Sequence, residues 1–343
     1  MITKQTIRRC MDALVSVTGD HIVVYDLKDA VLAETDPPRQ EGPETEKIPV
    51  WDDEQIRYYL VASGATAEMS AQIAAAQLKE LLIAYQDRFD KNNFFQNLLL
   101  DNLLLVDIYN RARKLRIDET ARRVIYLIEV GSVEDTSAVD YLNGMFAPGS
   151  GDYVTAVDEV SAIVIKALTE EDGEEEMRRV ADSIVAMLNT EAMINARVAY
   201  GTPVNELKDL SKSYKEAMLA LEVGKIFYAE DTVNAYSTLG IGRLIYQLPA
   251  NLCRMFISEV FGEERLPLNL DEETRITIDQ FFENDLNVSE TARDLFVHRN
   301  TLVYRIDRLQ KEIGLDIRDF DDALTLKISL MVDSYLRYLD SRK

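Results

Sequence analysis

The chain has 343 residues, and its 60 aspartates and glutamates against 38 lysines and arginines give a formal net charge of −22 at pH 7. The length predicts two or three domains, and the acidic excess opposes nonspecific binding to nucleic acid, so any DNA contact must lie in a local basic patch. With only Cys10, Cys253, His21 and His298, the composition argues against a disulfide framework, a cysteine zinc site and a Ser-His-Asp hydrolase.

The first 60 residues predict a helix followed by a small sheet. Thr3 can cap the helix, whose apolar side chains fall on one face. These side chains are Ile7, Cys10, Met11 and Leu14. Three runs rich in β-forming residues are expected to be strands, at 21–25, 30–33 and 55–62. Four prolines and a glycine within residues 36–49 indicate an exposed loop. A small sheet flanked by helices is typical of a sensor module.

Residues 66–116 have the pattern of a helical stretch, with a long helix expected from Thr66 to about Asp101. One apolar stripe consists of Leu78, Leu81, Leu82, Tyr85 and Phe89. The apolar content then continues with Phe94, Phe95, Leu98, Leu99 and Leu103. Such a helix either forms a dimer seam or packs against its own sheet. Because fewer than three clean heptads are visible, the pattern supports both alternatives equally.

Residues 120–238 alternate between strand and helix, which predicts an α+β or α/β sandwich. The expected strands are 123–130, 153–157, 162–167 and 194–200, the middle two forming a hairpin. The expected helices are 138–146, 174–188 and 206–227. The acidic run 170–176 is interpreted as the solvated start of a helix rather than a metal site, because the helix macrodipole favours negative charge there.

From residue 240 onward every segment is expected to be helical, with helices at 241–261, 272–282 and 324–339 and two shorter ones between the last two. Ser289 is the expected N-cap of the first short helix. A tight turn through Phe296 and Val297 leads into the second, which begins at His298. Ala292 is a small residue in the first of these helices, at the point where the second must cross it closely. Two short helices joined by a tight turn, with a small residue at their crossing, are typical of a helix-turn-helix.

The second short helix separates into two faces at about 100° per residue. Leu302, Ile306 and Leu309 form the buried stripe, and His298 leans toward that side as a structural cap. The predicted DNA-contacting residues lie at or beside the opposite face and are Arg299, Asn300, Thr301, Tyr304, Arg305 and Arg308. Their guanidinium, amide, hydroxyl and phenol groups can read base edges and hold phosphates in a major groove.

The charge balance of this segment differs from that of the whole chain. From Ser289 to Lys311 there are five lysines and arginines against three acids, a balance of +2. This local reversal indicates a recognition helix over about residues 298–310 that enters the major groove of double-stranded DNA. The alternative is a surface helix that happens to be basic.

These residues also carry a family resemblance. The run Val-His-Arg-Asn-Thr-Leu-Val-Tyr-Arg-Ile at 297–306 resembles the C-terminal helix-turn-helix of the PucR/CdaR family of bacterial transcriptional regulators, and Leu309, 313–317 and 321–330 fit the ending of that family. The middle region is similar to the degenerate GGDEF-like domain of the family. The matching residues are 199–201, Leu207, Leu210, 213–214, 216–217 and 220–221.

The N-terminal region resembles the family's sugar-diacid-type sensor more weakly, through residues 24–26, 32–37 and 39–42. The sensor family's histidine after that glycine is absent, so the resemblance does not extend to diacid recognition. The resemblance implies an α+β multidomain chain. Its expected parts are a PAS-like sensor with a long helix at 1–115, a GGDEF-like α/β sandwich at 116–238, and an all-α helix-turn-helix domain at 239–343.

The middle domain is not expected to be an enzyme. A cyclase of the GGDEF type needs glycines at a hairpin so that its backbone can approach the guanine nucleotide. The corresponding hairpin, at 157–160, has acids but no glycine pair. Glu129 could lie near a metal position, but Gly131 replaces the usual second acid. We therefore expect a relay or dimerisation element with no cofactor.

Together these features predict a ligand-responsive, sequence-specific DNA-binding regulator that forms a homodimer. The alternatives are a signalling scaffold that binds a nucleotide or a protein through the middle domain, and a residual nucleotide enzyme. An organic-acid effector could bind near Tyr25 through Arg39, Lys47 and Arg57, although solvated surface explains these charges equally well. No apolar run reaches the length of a membrane span and no signal-peptide core is visible, so a cytoplasmic protein without a membrane partner is expected.

Overall fold

The structure is a computed structural model that divides into two compact units, Met1–Glu119 and Thr120–Lys343. The residues that it describes are 2, 4–36, 43–52, 55–130, 137–146, 150–158, 160–262, 266 and 271–342. Thr3, the expected first N-cap, lies outside these residues. None of the helices in the described ranges combines the length and the hydropathy that a membrane-spanning helix requires.

The first unit is built on a four-stranded antiparallel sheet. In chain order its elements are α1 (Lys4–Thr18), β1 (His21–Tyr25), β2 (Val31–Glu34), β3 (Ile48–Asp52), β4 (Gln55–Ser63), α2 (Ala67–Leu99) and α3 (Leu105–Lys114). The strand order is β2-β1-β4-β3. Apolar side chains of α1 and of the first turns of α2 pack on the sheet, with Ile7, Val24, Leu60 and Leu78 all buried. The three expected strands are confirmed.

The prediction of an exposed loop over 36–49 is wrong for its last two residues, because β3 begins at Ile48 and contains Pro49. Proline lacks the N–H that a central strand needs, and it signals a loop in a sequence. β3 tolerates it because, among the described strands, it lies at the edge of the sheet and pairs with β4 alone, where Pro49 faces Tyr59. The edge position in the sheet therefore allows a strand at Pro49, where the number of prolines had predicted a loop.

The long helix expected from Thr66 to about Asp101 is confirmed as α2, and the rest of the helical stretch expected up to residue 116 forms a separate helix, α3. The break follows Leu100, and Asp101 adopts a positive φ of 57° that interrupts helical geometry. Of the first predicted stripe, Leu78 is buried, whereas Phe89 is 61% exposed. The first three turns of α2 thus pack against the unit's own sheet, and residues 83–93 form a largely exposed section of helix. A dimer seam along that section remains a prediction.

The second unit begins with a five-stranded sheet covered by helices on both faces. Its elements are β5 (Arg123–Val130), α4 (Ser137–Met145), β6 (Tyr153–Thr155), β7 (Ser161–Ala167), α5 (Glu174–Glu191), β8 (Ala196–Tyr200), α6 (Leu210–Phe227) and β9 (Val233–Ala235). The strand order is β6-β7-β5-β8-β9, antiparallel except for the β8–β9 pair. The expected sandwich and its hairpin are confirmed.

Local sequence rules explain two features of this sandwich. Three acids occupy the first turn of α5, as the helix interpretation of the run 170–176 expects. Gly201 lies where α6 crosses the sheet so closely that a Cβ would stand 2.1 Å from the carbonyl oxygen of Ser213. Because that neighbour is backbone, no other residue fits at this position without moving the helix.

The rest of the second unit is helical. Its helices are α7 (Gly242–Tyr246), α8 (Ala250–Phe261), α9 (Glu272–Glu283), α10 (Val288–Asp294), α11 (Arg299–Ile313) and α12 (Phe320–Ser341). The single helix expected at 241–261 is wrong: Pro249 is the N-cap of α8 and separates it from α7. Phe281, Leu302 and Leu326 lie at the centre of this helical core.

Candidate nucleic-acid interface

Helices α10 and α11 form the predicted helix-turn-helix, and side chains fix both of its helix starts. Asn287, not Ser289, is the N-cap of α10, and its side-chain oxygen accepts hydrogen bonds from the N–H groups of Ser289 (3.0 Å) and Glu290 (3.3 Å). The expected cap at Ser289 is therefore wrong by two residues. His298 caps α11, with its Nδ1 accepting from the N–H of Asn300 at 3.2 Å. The prediction that His298 is a structural cap is confirmed.

These caps give a direct test of the local structure. We expect Asn287→Ala to lower the free energy of unfolding by about 1 kcal/mol, because it leaves N–H groups at the start of α10 without their acceptor. Ser289→Ala is the matched control, since its side chain makes no capping hydrogen bond. Denaturant unfolding of both variants measures the difference. A larger loss in the Ser289 variant would contradict this assignment.

The inner face of α11 anchors it to the helical core. Leu302 and Ile306 are fully buried and Leu309 is 4% exposed, which confirms the predicted apolar stripe. Ala292 of α10 is buried in the same cluster, where the two helices cross. This packing fixes which side of α11 faces away from the protein.

Most of the predicted contact residues lie on that outward side. Arg299, Asn300, Thr301, Tyr304 and Arg308 are all exposed. Within the described part of the chain, the side chains of Arg299, Asn300 and Thr301 make no hydrogen bond or ion pair. Their donors are thus available to another molecule, and Tyr304 presents 70% of its surface beside them.

Arg305 is placed differently from the other five residues. Its guanidinium pairs with the Glu273 carboxylate of α9 and donates to Thr277 Oγ1 at 3.3 Å. Only a quarter of its side chain is exposed. Arg305 thus ties α11 to α9, and a phosphate contact would require it to leave Glu273 or to share that carboxylate. A DNA role for Arg305 remains a prediction.

Arg318 contributes to this surface although no local pattern in the sequence signals it. Its guanidinium donates to Asp307 of α11 at 2.8 Å and to Asp316 at 2.7 Å. The hydrogen bond from Arg318 holds the pKa of the Asp316 carboxyl below its ordinary value, although burial opposes this. Asp307 is one of two acids within α11, the other being Glu312 near its end, and the pairing with Arg318 offsets the negative charge of Asp307.

The middle sandwich has a second polar cluster, at the position considered for a metal. The carboxylate of Glu129 pairs with Lys225 of α6, and Lys225 also reaches Glu222 at 3.2 Å. The carboxylate of Glu222 accepts a hydrogen bond from the hydroxyl of Tyr338 of α12. Asp158 of the hairpin accepts from Ser161 N–H at 2.7 Å, as a turn residue does. Gly131 and Glu159 lie outside the described residues.

No cluster of three or more histidines, cysteines, aspartates or glutamates that could hold a metal occurs in the ranges that the structure describes. In the first unit, Lys47 pairs with Asp29 at 2.5 Å and lies 5.3 Å from the ring centre of Tyr25. This brings together two of the residues expected near an effector. Arg57 is exposed on β4, and Arg39 lies outside the described residues.

Comparisons with known proteins bear on the second unit above all. Residues 274–332 match the family model of the PucR C-terminal helix-turn-helix domain, and residues 102–223 match that of the GGDEF-like domain. The first match includes α10, α11 and nearly all of α9. The second extends from before β5 into α6.

Three characterised relatives align with most of this chain. The carbohydrate diacid regulator of Escherichia coli (strain K12) is 25% identical over 82% of this chain and 74% of its own length. The purine catabolism regulatory protein of Bacillus subtilis (strain 168) is 24% identical over 77% of this chain and 53% of its own length, so the chain spans about half of that relative. The DNA-binding transcriptional activator AdeR of B. subtilis (strain 168) is 23% identical over 85% of this chain and 73% of its own length.

Proposed function

Because the chain belongs to the PucR/CdaR family of transcriptional regulators, we propose that it binds double-stranded DNA with α11 in the major groove and regulates transcription. The observation that carries this proposal is the outward face of α11. Arg299, Asn300 and Thr301 on this face have no partner within the described chain, while the inner face is fixed in the core. Residues at the N-terminal end of such a helix reach base edges first, which assigns base contacts to Arg299 and Asn300.

Selection of genomic DNA fragments by the purified protein tests this proposal, because the protein itself then identifies its operator. Specific binding in a gel shift, retained against excess competitor DNA, is the expected result. Absence of any selected fragment would favour the signalling scaffold that acts through the middle domain. The genes beside a selected fragment would also indicate the class of effector. A regulator of transcription acts where the chromosome lies, so we propose a cytoplasmic protein.

For the middle domain we propose a relay rather than a cyclase. Lys225 supplies positive charge directly to Glu129, at the position that a metal ion would neutralise in a cyclase. Through Glu222 the same lysine is connected to Tyr338 of α12, and Arg342 of the same C-terminal segment lies 3.5 Å from Glu222. The polar network thus links the sheet to the helical core. Turnover of GTP in the presence of Mg²⁺ would contradict the proposal.

This network has a pH dependence with a defined sign. Burial alone raises the pKa of Glu222, but hydrogen bonds from Tyr338 and Lys225 outweigh it and hold the pKa below its ordinary value. The stabilisation is therefore present above the unfolded pKa of about 4.3 and is lost as the pH falls through the lower folded value. We expect Glu222→Gln to cost about 1–3 kcal/mol at neutral pH, a loss that shrinks below about pH 4. Thermal unfolding across this pH range measures it.

We also propose that the regulator is a homodimer, since paired half-sites about one helical turn apart supply the specificity that a single helix-turn-helix lacks. The exposed section of α2 and the middle domain are the candidate seams. Sedimentation is expected to show a dimer at tens of micromolar protein, with or without DNA. A strict monomer under both conditions would contradict the proposal.

The first unit is proposed to be a PAS-like sensor for a small organic acid. Lys47 beside Tyr25 supplies a positive charge next to an aromatic ring, with Arg57 on β4 and Arg39 as further candidates. Lys47 is already paired with Asp29, so a carboxylate ligand would have to compete with that side chain. A thermal-shift panel of small organic acids tests this, and no shift with any of them would reject an anionic effector. Coupling to DNA binding further requires that the effector prefer one conformation.

A further inference from the structure

Phe296, in the turn between α10 and α11, has the most exposed large apolar side chain of the residues that the structure describes. It presents 96% of its surface to solvent. Its neighbours Leu295 and Val297 are partly buried and pack against the helical core, so the turn itself is anchored. The aromatic ring therefore buries almost no surface and adds almost nothing to the stability of the free protein.

The backbone at Phe296 is also unfavourable for this residue type. Its φ is 54°, in the left-handed region that glycine and asparagine adopt with far less strain than a bulky residue. Two hydrogen bonds hold the turn, from the N–H of Phe296 to Arg293 O (3.0 Å) and from the N–H of Val297 to Ala292 O (2.9 Å). The fold thus holds an aromatic side chain outward at a position where a smaller residue would be less strained.

The surroundings of Phe296 are those of the proposed DNA contact. Arg299 follows three residues later, so its Cα lies within about 11 Å along the chain. Arg293, at the end of α10, is exposed as well, and neither arginine has a partner within the described residues. The nearby acid, Asp294, accepts a hydrogen bond from Asn284 Nδ2 at 2.9 Å. Along the chain, Phe296 therefore lies between two exposed arginines that have no partner within the described residues, next to the end of α11 that enters a groove first.

We propose that Phe296 is a DNA-contact residue that packs against deoxyribose carbons and the thymine methyl group at the edge of the major groove. The inference rests on the proposed function and extends it, because it adds an apolar contact to a surface otherwise made of polar donors. Apolar contact with a thymine methyl distinguishes thymine from cytosine, so Phe296 would add sequence preference beside the bases read by Arg299 and Asn300. The flanking arginines favour a polyanion as the partner.

The test compares Phe296→Asn with parent protein on a genomic fragment that the parent has selected. Asparagine tolerates the left-handed backbone, so the thermal midpoint is expected to be unchanged or raised. Affinity is expected to fall about tenfold through the lost apolar contact, with an unchanged salt slope because no charge is removed. Phe320→Ala is the matched control, a 68%-exposed phenylalanine at the start of α12, and should bind like the parent.

A second measurement locates the contact. Substituting 5-bromouracil for single thymines of the fragment and irradiating the complex should crosslink at one edge of the half-site, and the crosslink should be absent in Phe296→Asn. If that variant binds like the parent while Asn300→Ala does not, Phe296 is not a DNA contact, although the helix still is. If neither variant loses affinity, the proposed function itself fails. Full DNA affinity with lost transcriptional control would overturn the inference in favour of a protein partner.

Discussion

Replacing Leu302 by alanine is expected to lower the free energy of unfolding of the second unit by about 2–5 kcal/mol. Leu302 is fully buried in the cluster that holds α11 against the other helices, so the substitution removes apolar contacts and leaves a cavity. Binding to a selected DNA fragment should fall with stability, because this inner packing helps to orient the outward face of α11. Loss of binding without loss of stability is not expected.

Far-ultraviolet circular dichroism during denaturant unfolding is the appropriate measurement, because the single tryptophan, Trp51, lies in the first unit and does not report on α11. Leu324→Ala makes the same chemical change at a position of α12 that is 42% exposed, and it should cost much less. Equal costs at the two positions would mean that α11 is not anchored through Leu302.

Replacing Asn300 by alanine is expected to weaken binding to the cognate site by about 1–3 kcal/mol and to relax sequence preference at one base pair. Its amide is exposed next to the capped start of α11, and a side-chain amide can bond both hydrogen-bonding groups of an adenine edge. Affinity for unrelated DNA should stay the same. Because Asn300 lies outside the buried stripe, the thermal midpoint should change little.

Comparing Arg308→Ala with Asn300→Ala distinguishes a phosphate contact from a base contact. It lies two turns further along α11 and is exposed, so Arg308→Ala should weaken binding to all sequences alike and lower the salt slope by about one unit. Lys79→Ala, an exposed lysine on α2, is the control for a lost positive charge away from this face. If Asn300→Ala and Arg308→Ala both bind like the parent while folded, α11 is not the reader and the scaffold hypothesis takes first place.

Features with a local cause follow from the sequence by itself. The strand at 123–130 is found with the expected bounds, and the apolar stripe of α11 is buried as its spacing predicts. The acids before residue 177 stand at a helix start. Each of these depends on a repeat or on a charge next to a helix end, so residues within one or two turns decide it.

Where two local signals compete, the sequence does not choose between them. Asn287 and Ser289 are both good N-caps, and the path of the chain entering α10 selected Asn287. Pro49 argued for a loop, but the edge position of β3 allowed a strand.

Only the tertiary structure decided how charges are paired around the contact face. Arg305 is separated from Glu273 by 32 residues in the sequence, and Lys225 from Glu129 by 96. At such separations the periodicity of a helix or a strand does not predict which residues pair. The sequence placed Arg305 on a helix flank, and packing of α9 against α11 then gave it a carboxylate partner, whereas Arg299 and Asn300 have none within the described residues. Residue type and period determine what a surface can offer, whereas the packing of distant segments determines which of its groups remain available to DNA.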